Sequence, residues 1–368
     1  MSAKDTSVPL YEQIKRSLRE DIKKGVLAPG QLLPGQRELA ERHNVSDITV
    51  RRALQDLARE KLVNRIVGVG TFVRAEIEPA RIALLLPRFD DLNLWRDRGK
   101  DFGDLMAGIG EVVWEYCAML SVMRPEGDAS IRRFIAEQKA HRTVDGVLLK
   151  PNGEIDPPIF DQLDEANLPF VVINRRVSAR PVNCVCADDF SESYMLTTHL
   201  IEQGYARIGF IGPPPGEVFQ HRYGGYVTAL RGKGLPLREE LVVQAEDYNS
   251  LHGSLWIDRL LDLRDPPDAI FLAMSAYIAP SALAAIAARG IKVPGDMAFV
   301  MHDSDNSGES FRPSITSAGC SYFDLGREAA ILLTRVMKEH PTNTTQFMLP
   351  PHVVYRNSTP AAVERNAA

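Results

Sequence analysis

Apolar positions in the first quarter of the chain recur at helical spacing. Leu10, Ile14, Leu18 and Ile22 fall four residues apart, with Lys15, Arg16, Arg19, Glu20 and Lys23 between them. That spacing predicts an amphipathic helix, ended by Gly25 and the Ala28-Pro29-Gly30 turn. A second, short helix is predicted from Gln36 to about His43, with Leu39 and Ala40 inward. After the Asn44-Val45 turn, Ser46 caps a third helix. One side of it carries Val50, Ala53, Leu54 and Leu57, and the other Thr49, Arg51, Arg52, Gln55 and Arg59. Residues 62–66, the turn Val67-Gly68-Val69-Gly70 and residues 71–74 read as a β-hairpin.

Beyond a short linker at 76–80 the pattern changes. Arg81–Leu86 is an apolar run of strand length, and a helix is predicted from Phe102 to Tyr116. Strand-like runs recur at 118–123, 146–149, 170–173, 208–211, 241–245, 269–273 and 297–301, with helical segments at 191–203, 223–233, 254–263 and 322–338. Continuous apolar strands alternating with helices mean parallel sheets covered on both faces, an α/β body. About nine such units exceed one sheet and imply two lobes.

Charge separates the head from the body. Residues 1–75 hold 14 Lys/Arg and 9 Asp/Glu, whereas the whole chain carries a formal charge of −5. A basic module on an acidic body suits contact with a polyanion. With 368 residues, 45% hydrophobic and 25% charged, the composition excludes disorder, collagen and coiled-coil rods. Three helices, a short turn before the third, and a hairpin make the layout of a winged helix-turn-helix, whose third helix enters a major groove. The bland alternative is a small helical dimerisation module with a solvated basic face.

Four cysteines do not make a disulfide framework. Cys184 and Cys186 flank Val185 on a strand, which puts both side chains on one face as buried thiols. The N-terminus lacks an apolar signal segment, so a cytoplasmic location is expected. Residues 269–288 form a 20-residue run without charge, but Pro280 interrupts it, and it reads as a buried strand followed by a helix rather than a membrane span. No nucleophile elbow, phosphate loop or dinucleotide fingerprint is present. The Gly108-Ile109-Gly110 triplet falls inside a helix and implies packing. The eight histidines are scattered, with no metal-ligand spacing. No enzyme activity, cofactor or metal is expected.

The run over residues 8–74 resembles the gluconate-repressor (GntR) family of winged helix-turn-helix proteins. The resemblance rests on the phrases LAPGQLLP, RELAERHNVS, ITVRRALQDLAREKLVNR and GVGTFV in order. It implies that Arg37, Arg51 and Arg52 contact DNA, that Ser46 and Thr49 reach phosphate, and that Gly68 and Gly70 bring the wing backbone to the minor groove. Asp47 stands where many relatives have arginine. Its carboxylate suits the helix dipole, and it either repels phosphate or accepts from a cytosine amine. The wing tip is apolar where relatives carry Gln and Arg or Lys.

Residues 81–359 resemble the effector domain of the lactose/galactose-repressor (LacI/GalR) family, which has a two-lobed fold like that of periplasmic sugar-binding proteins. The phrases are Asp145–Leu149, Pro169–Asn174, HLIEQGYARIGFIGPPP from His199, HRYGGYVTAL from His221, GIKVPGDMAFVMHDSD from Gly290, RPSIT from Arg312, DLGREAAILL from Asp324 and the terminal YRNST. Joined to a GntR head, this resembles the arabinose-repressor architecture. The resemblance implies a first lobe of about 81–186 and 316–342, and a second of about 187–315 and 343–360, before a tail at 361–368. It also implies a ligand in the cleft at the carboxyl ends of the strands, touched by Phe102, Asn174, Arg222, Tyr248, Ser275 and Asp303. An exposed helix-start arginine and a loop-capping aspartate are the bland alternatives for Arg222 and Asp303. His302 replaces the usual aromatic before Asp303, Ser275-Ala276 lacks the usual acid, and Pro87–Lys100 is longer and more charged than usual. The expected protein is a dimeric, ligand-responsive transcriptional regulator, a repressor that binds a palindromic operator and a sugar-like effector, with no membrane partner. An enzyme and a DNA-independent sensor on the same body are the rivals.

Overall fold

The computed structural model describes residues 9–66, 69–74, 79–86, 99–151, 155–177, 180–247, 250–274 and 276–360. The chain forms two compact units, one built on roughly the first 81 residues and one holding most of the remainder. In the first, α1 (Leu10–Lys23), α2 (Gln36–His43) and α3 (Asp47–Arg59) precede the hairpin β1 (Val63–Ile66) and β2 (Gly70–Val73). The four-residue spacing places Ile14 and Leu18 of α1 in one core with Leu39, Val50, Leu54, Leu57, Val63 and Val73. Asn44, with φ 52°, makes the left-handed turn from α2 to α3, a conformation Asn tolerates better than most residues. Residues 30–33 add a third strand-like segment to the hairpin, with Leu33 N–H donating to Thr71 O at 2.7 Å and Val73 N–H to Gln31 O at 2.9 Å. Glu60 ties α1 to the end of α3 by accepting from Arg19, with Lys15 3.4 Å away.

The second unit holds two six-stranded sheets. The first runs β13-β7-β6-β5-β3-β4 and the second β14-β12-β11-β10-β8-β9. The first contains β3 (Arg81–Leu85), β4 (Met119–Met123), β5 (Gly146–Leu149), β6 (Phe170–Ile173), β7 (Cys184–Ala187) and β13 (Gln346–Leu349). The second contains β8 (Ile208–Gly212), β9 (Val242–Gln244), β10 (Ala269–Leu272), β11 (Ala298–His302), β12 (Thr316–Gly319) and β14 (His352–Val354). Strands β5, β6, β8, β10 and β12 are buried along their whole length, as expected of parallel strands with helices on both faces. Pairing is parallel from β3 through β5, β6 and β7 to β13, and from β9 through β8, β10 and β11 to β12.

Four features differ from the sequence expectation. Thr316–Gly319 pairs with β11 and so lies in the second sheet, while Gln346–Leu349 pairs with β7 in the first. The lobe crossings therefore fall after β7, β12 and β13, because each of these short strands completes the sheet it leaves before the chain crosses. Second, β14 runs antiparallel to β12, with Ser317 opposite Val354. Third, β4 is a sheet edge with Met119, Val122 and Met123 exposed, not a strand covered on both faces. Fourth, the helix expected from Tyr223 begins at Glu217. The linker expected at 76–80 lies largely outside the described residues. The uncharged run at 269–288 is β10 followed by the helix Ala279–Ala288, with Pro280 in its first turn. Among the described residues no helix is long and apolar enough to cross a membrane. Cys184 and Cys186 are buried and free.

Glycines set one helix crossing in the first lobe. A Cβ on Gly108 would lie 1.9 Å from Phe323 O, and one on Gly326 would lie 2.3 Å from Leu105 O. The helices Gly99–Glu115 and Tyr322–Glu339 thus touch backbone to backbone, which only paired glycines allow. A methyl group at either site must push the helices apart. We expect Gly326→Ala to lower stability by about 1–3 kcal/mol, the usual cost of overpacking, measured by urea unfolding; an unchanged midpoint would show that the crossing is slack.

Candidate functional site

The helical period that buries Val50, Ala53, Leu54 and Leu57 of α3 leaves Asp47, Ile48, Arg51 and Arg52 exposed on its outer side. Ser46 is extended (φ −73°, ψ 153°), and its Oγ accepts from Thr49 N–H at 3.3 Å. The two hydroxyls sit 2.8 Å apart. That pair uses one hydroxyl proton, so the other can still donate to a phosphate. Arg52 lies 4.0 Å over the Tyr11 ring of α1, a cation–π contact that holds the guanidinium in place. Arg37 on α2 is exposed, with Glu41 3.6 Å away, an exposed pair too weak to neutralise it for a polyanion. Gly70 has φ 148°, and a Cβ there would meet Leu32 Cδ1 at 2.5 Å. The wing glycine is therefore favoured by the hairpin's backbone, whose φ at this position L side chains rarely adopt. Gly68 lies outside the described residues. Ile48, 77% exposed, was not singled out from the sequence. Its position off the apolar stripe of α3 was the available signal.

In the second unit, Lys100 and Asp101 follow β3, and Ser304 and Asp305 follow β11. Lys100 Nζ lies 3.8 Å from the Asp305 carboxylate and donates to its carbonyl, while Ser304 Oγ lies 3.5 Å from Asp101 Oδ1. These contacts bring the segments that follow β3 and β11, one strand from each sheet, together. Phe102 stands half-buried in the first turn of the helix beside them. At the end of β6, Asn174 turns the chain with φ 54°, and its Oδ1 accepts from Ala187 N–H at 3.3 Å. Its amide hydrogens point to no partner among the described residues. Tyr248 and Ser275 lie outside those residues.

Arg222 is no helix-start cation. It sits inside the helix Glu217–Gly232, 7% exposed. Its Nε donates to Asp189 Oδ1 at 2.8 Å, Nη2 lies 2.7 Å from the same oxygen, and Nη1 donates to Ala273 O at 2.9 Å. Nη2 also lies 3.2 Å from His302 Nε2. On its other side, His302 Nδ1 lies 2.8 and 2.9 Å from the two oxygens of Glu192, which has no exposure to solvent. A carboxylate against Nδ1 and a guanidinium against Nε2 select one arrangement, with Nδ1–H donating and Nε2 accepting. The result is a buried chain from Glu192 through His302 and Arg222 to Asp189. Neither acid was foreseen from the sequence. His302, noted only as a departure, is its link.

Asp303 is the loop-capping aspartate. One carboxylate oxygen accepts from Ser307 N–H at 3.0 Å and Ser307 Oγ–H at 3.1 Å. The other accepts from Gly308 N–H at 2.9 Å and Ser317 Oγ–H at 3.1 Å. Burial works to raise its pKa, but these donors and Asp305 hold it below the ordinary carboxylate value. Burial, then the hydrogen bond with Asp303, pushes Asp305 up to about 6. With its oxygens taken, Asp303 shapes the cleft rim rather than extending a free acceptor into it.

Known proteins similar to this chain are transcriptional regulators. Residues 10–73 match the model of bacterial regulatory proteins of the gntR family, and residues 197–359 match the periplasmic binding protein-like domain. The arabinose metabolism transcriptional repressor of Geobacillus stearothermophilus is 23% identical over 97% of this chain and 99% of its own. The HTH-type transcriptional repressor CytR of Escherichia coli K12 is 30% identical over 60% of this chain and 64% of its own. A solved transcriptional regulator CelR-cellobiose complex superposes with a TM-score of 0.67 and 26% identity, over 85% of this chain and 91% of that one. The chain joins a gntR-type helix-turn-helix head to a periplasmic-binding-protein-like body, and the proteins it resembles are transcriptional regulators.

Two outcomes test the geometry. Removing one partner of a buried ion pair strands the other, typically at about 3–5 kcal/mol. Asp189→Ala should therefore cost that much in unfolding free energy, with Asp189→Asn costing less because it keeps an acceptor. An Asp189→Ala protein of wild-type stability would mean that Arg222 is not held as described. The second concerns pH. Asp305 keeps its proton in the folded state to about 6, above the 3.8 of a free carboxyl. The folded chain thus binds the extra proton across that window, and stability falls as pH rises through it. Asp305→Asn should flatten this slope in thermal melts, and an unchanged slope would assign it to another group.

Proposed function

We propose that this chain is a ligand-responsive repressor of carbohydrate-related genes. It binds a palindromic operator as a homodimer through α3 and takes a sugar or sugar derivative in the cleft between its lobes. The observation that carries the reading is the presence in one chain of an exposed Arg51/Arg52 helix face and a cleft wall stiffened by the buried Arg222 chain. An enzyme needs reactive groups left free for chemistry. Here the ionisable groups of the second-lobe wall are bonded to one another, which suits a binding wall. The relatives named above are regulators, and the solved CelR complex holds cellobiose. The domain plan follows: a DNA-binding head to about residue 75, a linker, and an effector-binding body to about residue 360.

Arg37, Arg51, Arg52, Ser46 and Thr49 form the proposed DNA face, with Asp47 at its edge. Phe102, Asn174 and Arg222 face the proposed ligand cleft, and Asp303 supports its rim. A second copy is the natural partner for the edge strand β4, whose Val122 and Met123 are exposed beside an unpaired backbone edge. Two copies supply two recognition helices to two half-sites.

Arg51→Ala should weaken binding to the operator by about 1–3 kcal/mol, or about 5- to 150-fold, if Arg51 reads a base edge. Binding of small molecules by the body should not change. The measurement is operator affinity at fixed salt on a fragment from upstream of the protein's own gene. Unaltered affinity removes Arg51 from the interface, and no binding by the wild type overturns the DNA-binding reading.

A further inference from the structure

The outward face of α3 holds one residue that neither the core nor the helix calls for. At about 100° per residue, Leu57 of the buried seam falls two and a half turns on from Ile48. Ile48 therefore lies on the opposite side of the helix, facing away from the head's core. Arg51, Arg52 and Gln55, one and two turns further on, are exposed and share this side. Ile48 thus stands on the midline of a face flanked by Arg51 and Arg52, in the first turn, beside the Ser46–Thr49 hydroxyl pair. It is 77% exposed, against 66% for Val26, 63% for Val69, 55% for Leu10 and 51% for Leu32, the other exposed large apolar side chains among the described residues of the head. The helix gains nothing from it. A β-branched residue loses side-chain freedom in a helix and ranks below alanine there, and isoleucine has no polar atom with which to cap the first turn.

We propose that Ile48 reads thymine, packing its side chain on the 5-methyl group of a T·A pair in each operator half-site. The proposal rests on the DNA-binding reading above and names one base that the head selects. Residues at the N-terminal end of a recognition helix are those that reach base edges. Of the groups that distinguish base pairs in the major groove, the thymine methyl is the apolar one, and the others donate or accept hydrogen bonds. Isoleucine does neither. Set against the other edges, it strips water from a donor or an acceptor and returns no hydrogen bond, which disfavours them. Against thymine the same side chain removes two apolar surfaces from water. Arg51 and Arg52 on its flanks supply the attraction to phosphates and acceptor edges that brings the helix in. That attraction does not depend on which pair lies under Ile48, so discrimination at that pair falls to Ile48.

The test is operator affinity of the full-length protein at fixed salt, on the fragment from upstream of its own gene, with the thymines of its footprint replaced one at a time by deoxyuridine. That change removes the methyl group and leaves base pairing and every hydrogen-bonding group in place. Replacing one particular thymine in each half-site should lower affinity by about threefold to tenfold, the size of one buried methyl contact. Ile48→Ala should bind the unmodified operator more weakly by a similar factor and be indifferent to deoxyuridine at that thymine. Ile48→Val, which keeps a branched apolar side chain, should keep part of the sensitivity. The salt dependence of binding should be the same in both variants and the wild type, since no phosphate contact is lost. Ile48 is exposed, so both variants should also melt as the wild type does. If every thymine tolerates the replacement, or if Ile48→Ala stays as sensitive to it as the wild type, the thymine assignment is overturned while the DNA-binding reading stands. An Ile48→Ala protein that loses affinity for operator and unrelated DNA alike also overturns it, because the contact is then to the sugar–phosphate backbone. A wild type that binds no such fragment removes the DNA-binding reading and the assignment with it.

Discussion

A guanidinium taken out of water must be answered by a carboxylate, and the cleft of this protein is organised by that requirement at Arg222. Its charge is met by Asp189, its remaining donors by the carbonyl of Ala273 and the ring of His302, and the ring in turn by Glu192. These residues come from two helices and from the ends of β10 and β11. The chain of bonds therefore fixes the relative placement of four elements of the second lobe where they meet one another. Continuous burial of the parallel strands supplies the rigid base, and Gly225 lets the helices Glu217–Gly232 and Asp189–Glu202 approach closely above it, since a Cβ there would meet Phe190 O at 2.3 Å.

The same logic assigns different work to groups that look alike. Asp303 is a buried carboxylate and Asp189 a mostly covered one, but Asp189 balances a cation, whereas Asp303 collects hydroxyl and backbone donors and closes the loop before Gly308. The rim contacts of Lys100 with Asp305 and of Ser304 with Asp101 join the lobes through exposed or half-exposed groups. Such contacts are weak and exchange readily with water. A stiff wall with a lightly latched rim is the combination a ligand can act on, because its own contacts to both lobes compete with small terms.

Much of the architecture was legible because it rests on period and alternation. The four-residue spacing of Ile14 and Leu18, and the unbroken apolar runs at β5, β6 and β10, state their burial outright, whereas Leu10, at the same spacing in the first turn of α1, is exposed. The lobe crossings were misplaced because sheet membership of a short strand such as Thr316–Gly319 depends on pairing with residues far away in the chain. Edge position was hidden for the same reason, and β4 has apolar residues whether it is covered or exposed. At the site, the motif around Arg222 was visible, but its partners were not. Asp189 and Glu192 lie 33 and 30 residues before it on another helix, and only the fold brings them to it. Asp303 stood out at a strand end, but its hydrogen-bond donors arrive from the loop that follows and from β12.

In a ligand-responsive repressor of the kind proposed, occupancy of the cleft and affinity for DNA are two readings of one equilibrium. Thermodynamic linkage makes the factor reciprocal. The direct measurement is a closed cycle on the wild-type protein: operator Kd with and without saturating ligand, and ligand Kd with and without saturating operator. Both ratios should change by the same factor, about 5- to 150-fold. A ligand that binds the body tightly yet leaves operator affinity unchanged would contradict it.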